Sequence, residues 1–112
     1  MKELTKEMRL ILKENGLRGS SDIIDQIYKD LYRILEKSAS GEKCMTSLVF
    51  GNKVKLKLII CTNEIDKLDV SIYNNDGISV FSELGLQIKD AEVDAYTQWL
   101  YAACENTLLS QV

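Results

Sequence analysis

The chain has 112 residues, 46% of them hydrophobic, which suits one folded domain and argues against disorder. Its net charge of -3 comes with no histidine, so the commonest catalytic base and zinc ligand is absent. No apolar run approaches the about 20 residues of a membrane helix, and residues 1–112 are read as a single α+β domain.

The first element expected is a helix over residues 3–15, with Leu4, Met8, Ile11 and Leu12 on one side. Acids mixed with bases, and no small-residue cleavage site, favour this amphipathic helix over a signal peptide. Gly16 is placed to end it in the left-handed conformation. Ser20, Ser21 and Asp22 then offer caps for a second helix over 21–38, whose stripe is Ile24, Ile27, Leu31 and Ile34. Asp25 and Lys29 form the favourable pair on its other side.

From Cys44 the apolar period changes from helical to two. Strands are expected at 44–50, 53–61, 67–73 and 78–81. Gly51-Asn52 makes the first turn and Asn74-Asn75-Asp76-Gly77 the last. Asp90 is read as the cap of a third helix over 91–108, with a stripe of Val93, Tyr96, Trp99, Leu100 and Ala103. The fold class that follows is α+β: a four-stranded antiparallel β-meander with helices packed on one face, in the order ααββββα.

Charge is divided along the chain. Residues 1–60 carry +4 and residues 61–112 carry -7, and 43–60 holds four lysines with no acid. Within it, Lys53, Lys55 and Lys57 alternate with Val54, Leu56 and Leu58, as the wet side of a strand would, each ammonium in water above a buried stem. A simple hairpin then sets Asp69, Ser71 and Tyr73 across from the lysines, where Asp69 neutralises one.

Catalytic constellations do not assemble. Gly16-Leu17-Arg18-Gly19 lacks the spacing of a phosphate-binding loop, and Thr62-Asn63-Glu64-Ile65-Asp66 lacks that of a calcium loop. The three cysteines, Cys44, Cys61 and Cys104, sit in apolar sequence and read as small core residues in a reducing compartment, the cytosol. No catalytic, cofactor or metal residue is assigned, and an enzyme is not expected.

Helix 2 would lead into a DNA groove with Asp22 and Asp25, which argues against a helix-turn-helix. Tyr73 alone is a thin stacking platform for RNA. Tyrosines at helix edges are more suggestive, since each joins a large apolar area to a polar tip. Tyr28 and Tyr32 lie at the margin of helix 2, and Tyr101 lies about 100° beyond Leu100 on helix 3. The protein-binding candidates are therefore Lys53, Lys55, Lys57, Asp69 and Tyr73 on the sheet, with Tyr28, Tyr32 and Tyr101 on the helices. The functional expectation is a small acidic protein-binding module, an inhibitor, immunity or adaptor protein of bacterial or phage type, cytoplasmic and with no membrane contact. Its partner is another protein, a basic one if the acidic half makes the contact, and a homodimer is a second form of the same idea. The alternative is a nucleic-acid-binding or regulatory protein using helices 1 and 2 or the lysine face.

Overall fold

A computed structural model describes residues 4–17, 21–64 and 66–112. The order is α1 (Lys6–Glu14), α2 (Ser21–Ala39), β1 (Met45–Phe50), β2 (Leu56–Glu64), β3 (Lys67–Tyr73), β4 (Ser79–Leu86), a 3-10 turn (Asp90–Glu92) and α3 (Val93–Ser110). The strands form one antiparallel sheet in the order β1-β2-β3-β4, with the helices on one face, which is the ααββββα α+β fold expected. The expected helix start at Glu3 and the side-chain caps from Ser20 and Ser21 lie outside what is described.

The C-terminal ends of α1 and α2 are set by glycine. After α1, Gly16 takes φ +73, its N–H donates to Lys13 O, and the Leu17 N–H donates to Leu12 O. Gly41 repeats the pattern after α2, with φ +79 and the Glu42 N–H on Lys37 O. These are Schellman closures, and the fully buried Leu12 and Leu17 supply the apolar contact that accompanies one of them.

Alternation sends Leu56, Leu58 and Ile60 of β2, and Leu68, Val70 and Ile72 of β3, to the helical side. There they meet Ile27, Leu31, Ile34 and Leu35 of α2 and Leu100, Cys104 and Leu108 of α3. The C-terminal turn of α2 (Leu35, Ala39) and the approach to α3 (Ile88 to Asp90) line one cavity. At that end Ser38 is almost fully buried. Its Oγ accepts from Asp66 N at 2.9 Å and donates to Glu64 O at 3.3 Å, tying α2 to the β2–β3 turn.

Several local expectations change. Strand β2 begins at Leu56 rather than residue 53, and β4 runs on to Leu86 rather than stopping at 81. The helix 3 cap is not Asp90: the Glu92 carboxylate takes the Lys89 N–H at 3.0 Å, and α3 proper starts at Val93. On α2 the ion pair is Asp30 with Arg33 at 3.8 Å, and Asp30 also accepts from Gln26 Nε2 at 2.9 Å. Tyr101 is 7% exposed, a core residue rather than a helix-edge one.

Candidate functional site

Among the described residues no helix covers the outer face of the sheet, so its side chains decide what it does. Strand register arranges them in rows. Val49, Lys57 and Tyr73 form one, Ser47, Ile59, Ser71 and Ser82 the next, and Met45, Cys61 and Asp69 the third. Purely polar residues would be expected on a sheet face that only meets water. Instead Met45 is 65% exposed and Val49 58%, with Ile59 half-buried between them.

At the Val49–Lys57–Tyr73 end the face sinks into a concavity of about 420 Å³. Val49 and Ile59 contribute apolar surface, Lys55 and Lys57 the charge, and Tyr73 with Asn74 the polar rim toward the β3–β4 turn. That turn is built by the Asn74 side chain, whose Oδ1 accepts from Asp76 N and Ile78 N, both at 3.0 Å. Neither Lys55 nor Lys57 forms an ion pair with a described carboxylate. Two ammonium groups beside an apolar floor suit a carboxylate that arrives with an apolar neighbour.

The three lysines do not form one comb. Lys53 lies in the 51–55 loop and its Nζ is 3.2 Å from Glu14 Oε2 of α1. The cause is Asn15, 3% exposed at the C-cap of α1. Its Oδ1 accepts from the N–H groups of Asn52, Lys53 and Val54 at 3.0, 2.9 and 3.2 Å, and its Nδ2 donates to Ile11 O at 3.0 Å. Asn52 Nδ2 adds a bond to Glu14 O at 3.0 Å. The loop's N–H groups thus go to a side chain instead of a sheet ladder, and the same latch fixes where the chain enters Lys55 and Lys57. Gly51 makes it fit: at φ +91 a Cβ would collide with Val54 O.

Asp69 does not face a lysine. Its register partner on β2 is Cys61, and its Oδ1 accepts from Asn63 Nδ2 at 3.1 Å and from Gly85 N at 2.8 Å. It therefore bridges β2 and β4 across β3, where β4 shifts register. Beside it, burial first and the Asp69 charge second push the Cys61 thiol upward, which opposes formation of a thiolate nucleophile. Among the described residues no group of three His, Cys, Asp or Glu side chains could hold a metal ion.

Tyr28, Tyr32 and Tyr101 fall on the helical layer, away from this face. Tyr28 and Tyr32 meet edge to face, with ring centroids 4.9 Å apart, and Tyr32 is 37% exposed. Their mutual hydrogen bond, then burial, then the charges of Tyr32 and Asp94 raise the Tyr28 hydroxyl above the ordinary tyrosine value. Tyr96 and Trp99 stand at 5.8 Å, and Trp99 reaches Phe81 of β4 at 5.9 Å, so these rings close the gap between α3 and the sheet. Met45, Val49 and Ile59 were not singled out by pattern. In MTSLVF both alternating sets hold apolar residues, and the period alone does not say which faces water. No helix among the described residues is long and apolar enough to cross a membrane. No family model, curated protein or solved structure matches this chain.

Proposed function

We propose that this chain is a protein-binding module that acts by occupying a partner's surface, as an inhibitor, immunity or adaptor protein does, and that the partner sits on the open face of the sheet. The carrying observation is the concavity formed by Val49, Ile59 and Tyr73 with Lys55 and Lys57, whose ammonium groups have no described carboxylate partner. An apolar floor with a charged and tyrosine-bearing rim is the composition of a protein contact. The favoured ligand is an acidic segment carrying one apolar side chain. Cytosolic residence follows the same reading, since all three cysteines are free thiols.

The test is capture by the immobilised chain beside a Lys55→Glu/Lys57→Glu version and a Tyr32→Glu version. The reading expects one stoichiometric protein, lost from the double lysine variant and retained by Tyr32→Glu, which alters the opposite layer. Retention by the lysine variant and loss with Tyr32→Glu would move the contact to α2. A partner that is basic and indifferent to both would point to the exposed acids Asp90, Glu92 and Asp94. Binding of nucleic-acid probes with a steep salt dependence would replace the protein-binding reading altogether.

A further inference from the structure

An antiparallel ladder uses the backbone groups of alternate residues, so each residue of an edge strand is either bonded inward or left facing out. On β1 the phase is set by Cys44 and Thr62, where the Thr62 N–H donates to Cys44 O at 3.0 Å. Two residues on at a time, the inward-bonded positions are Thr46, Leu48 and Phe50, opposite Ile60, Leu58 and Leu56. The N–H and C=O groups of Met45, Ser47 and Val49 therefore point away from β2. Among the described residues no hydrogen bond to them comes from outside the sheet.

Sheet edges are usually blunted by charge, proline, bulges or cover, because an open edge templates another strand. The two edges of this sheet differ in that respect. Strand β4 shifts register against β3 at two places, and it carries Glu83 and the left-handed Gly85. Strand β1 keeps unbroken register with β2 over all six residues, and MTSLVF contains neither charge nor proline. Its outward side chains, Met45 and Val49, are among the most exposed apolar groups of the described residues.

We propose that β1 pairs with β1 of a second copy, antiparallel about a two-fold axis at Ser47, so that two four-stranded meanders become one eight-stranded sheet. The strand is self-complementary in that register. Ser47 faces the second copy's Ser47, and Met45 faces its Val49, which sets apolar against apolar and small polar against small polar. On the helical side Thr46 faces Leu48. This pairing does not depend on the protein-binding reading of the open face. It would set two copies of that face side by side.

The test measures the solution mass of the full chain by light scattering and the hydrogen exchange of its β1 amides, in the unaltered chain and in Ser47→Lys. Ser47 is exposed on the outer face, so a lysine is accommodated in a single copy, yet two lysines would meet at the axis. The expected result is twice 12.7 kDa, with slow exchange at Met45, Ser47 and Val49. In Ser47→Lys the mass halves and those three amides exchange fast, while circular dichroism is unchanged. A unit mass for the unaltered chain overturns the proposal and leaves the edge to a strand of a different protein. So does a double mass with fast exchange at those three amides, which would place the dimer contact elsewhere. A dimer that survives Ser47→Lys overturns it as well.

Discussion

Replacing Asn15 by alanine removes one buried side chain and four hydrogen bonds: three loop N–H groups lose their shared acceptor, and Ile11 O loses a donor. Asn52 and Lys53 are exposed, so water takes over part of their loss, whereas Val54 is half-buried and recovers less. At about 1 kcal/mol net per bond, and somewhat more where a donor stays dry, the change costs about 3 kcal/mol. A domain of this size holds roughly 5–15 kcal/mol in all. With a urea dependence of about 1–3 kcal/mol per molar, the unfolding midpoint falls by roughly 1–3 M. The assay is urea denaturation followed by Trp99 fluorescence, the single tryptophan lying between Phe81 and Tyr96. Asn15→Asp keeps the acceptor but loses the donor and puts a negative charge at a helix C-terminus, so its loss is smaller, about 1–2 kcal/mol. If Asn15→Ala unfolds within about 0.5 kcal/mol of the parent, water replaces the side chain fully and the latch argument is wrong.

Gly51→Ala drives a Cβ into Val54 O and demands a positive φ from alanine, so a loss of at least about 2 kcal/mol is expected, read from the same urea curves. Tyr101→Glu buries a carboxylate in the core and should leave little folded protein by circular dichroism, whereas Tyr32→Glu, which loses the edge-to-face contact with Tyr28, should cost about 1 kcal/mol and stay folded. Burial pushes the Cys104 thiol up to about 12 from 9.0, with Glu105 adding to the shift. A raised folded value means this contribution is intact below pH 9.0 and is lost as pH rises toward 12. Stability should therefore fall less steeply above pH 9.0 in Cys104→Ala than in the parent. In thiol labelling of the native chain, Cys104 should react only on unfolding, and a Cys104 that reacts alongside Cys44 would contradict its placement. Asp69→Ala frees the Gly85 N–H and the Asn63 amide, and faster hydrogen exchange confined to Gly85 and its β4 neighbours is the expected sign.

How much of this was legible in the sequence differs from element to element for physical reasons. Strand β3 matches its expected span because apolar and polar residues alternate cleanly and both faces are dressed for their surroundings. In β2 the alternation Val54-Lys55-Leu56-Lys57 extends the strand pattern backward. The backbone does not follow it, since Asn15, 37 to 39 residues away, has taken the N–H groups that a ladder would use. The C-terminal half of β4 was hidden for the opposite reason. Glu83 and Gly85 break the pattern, and the Asp69 bond that makes the irregularity tolerable is again a distant one. Tyr101 defeats a helical count because α3 has neighbours on a wide arc: α1, α2 and β4 all touch it, so the buried surface is broader than one stripe. For the candidate site, Lys55, Lys57 and Tyr73 could be named from periodicity alone. That Lys53 leaves the group, and that Val49 and Ile59 join it, required knowing where the loop is pinned.

The pinning of that loop also bears on how the chain folds. Every strand pairs with its neighbour in sequence, so the meander over residues 45–86 needs only short loops to close and can organise early. The Asn15 latch and the packing of α1 on α3 join segments distant in sequence, and their closure comes after the surfaces they bind exist. Asn15→Ala is then expected to accelerate unfolding with little effect on the folding rate, whereas truncating Val70, central in β3, should slow folding itself. The latch would thus act chiefly on the lifetime of the folded state, the interval for which Lys55 and Lys57 are held beside Val49 and Ile59.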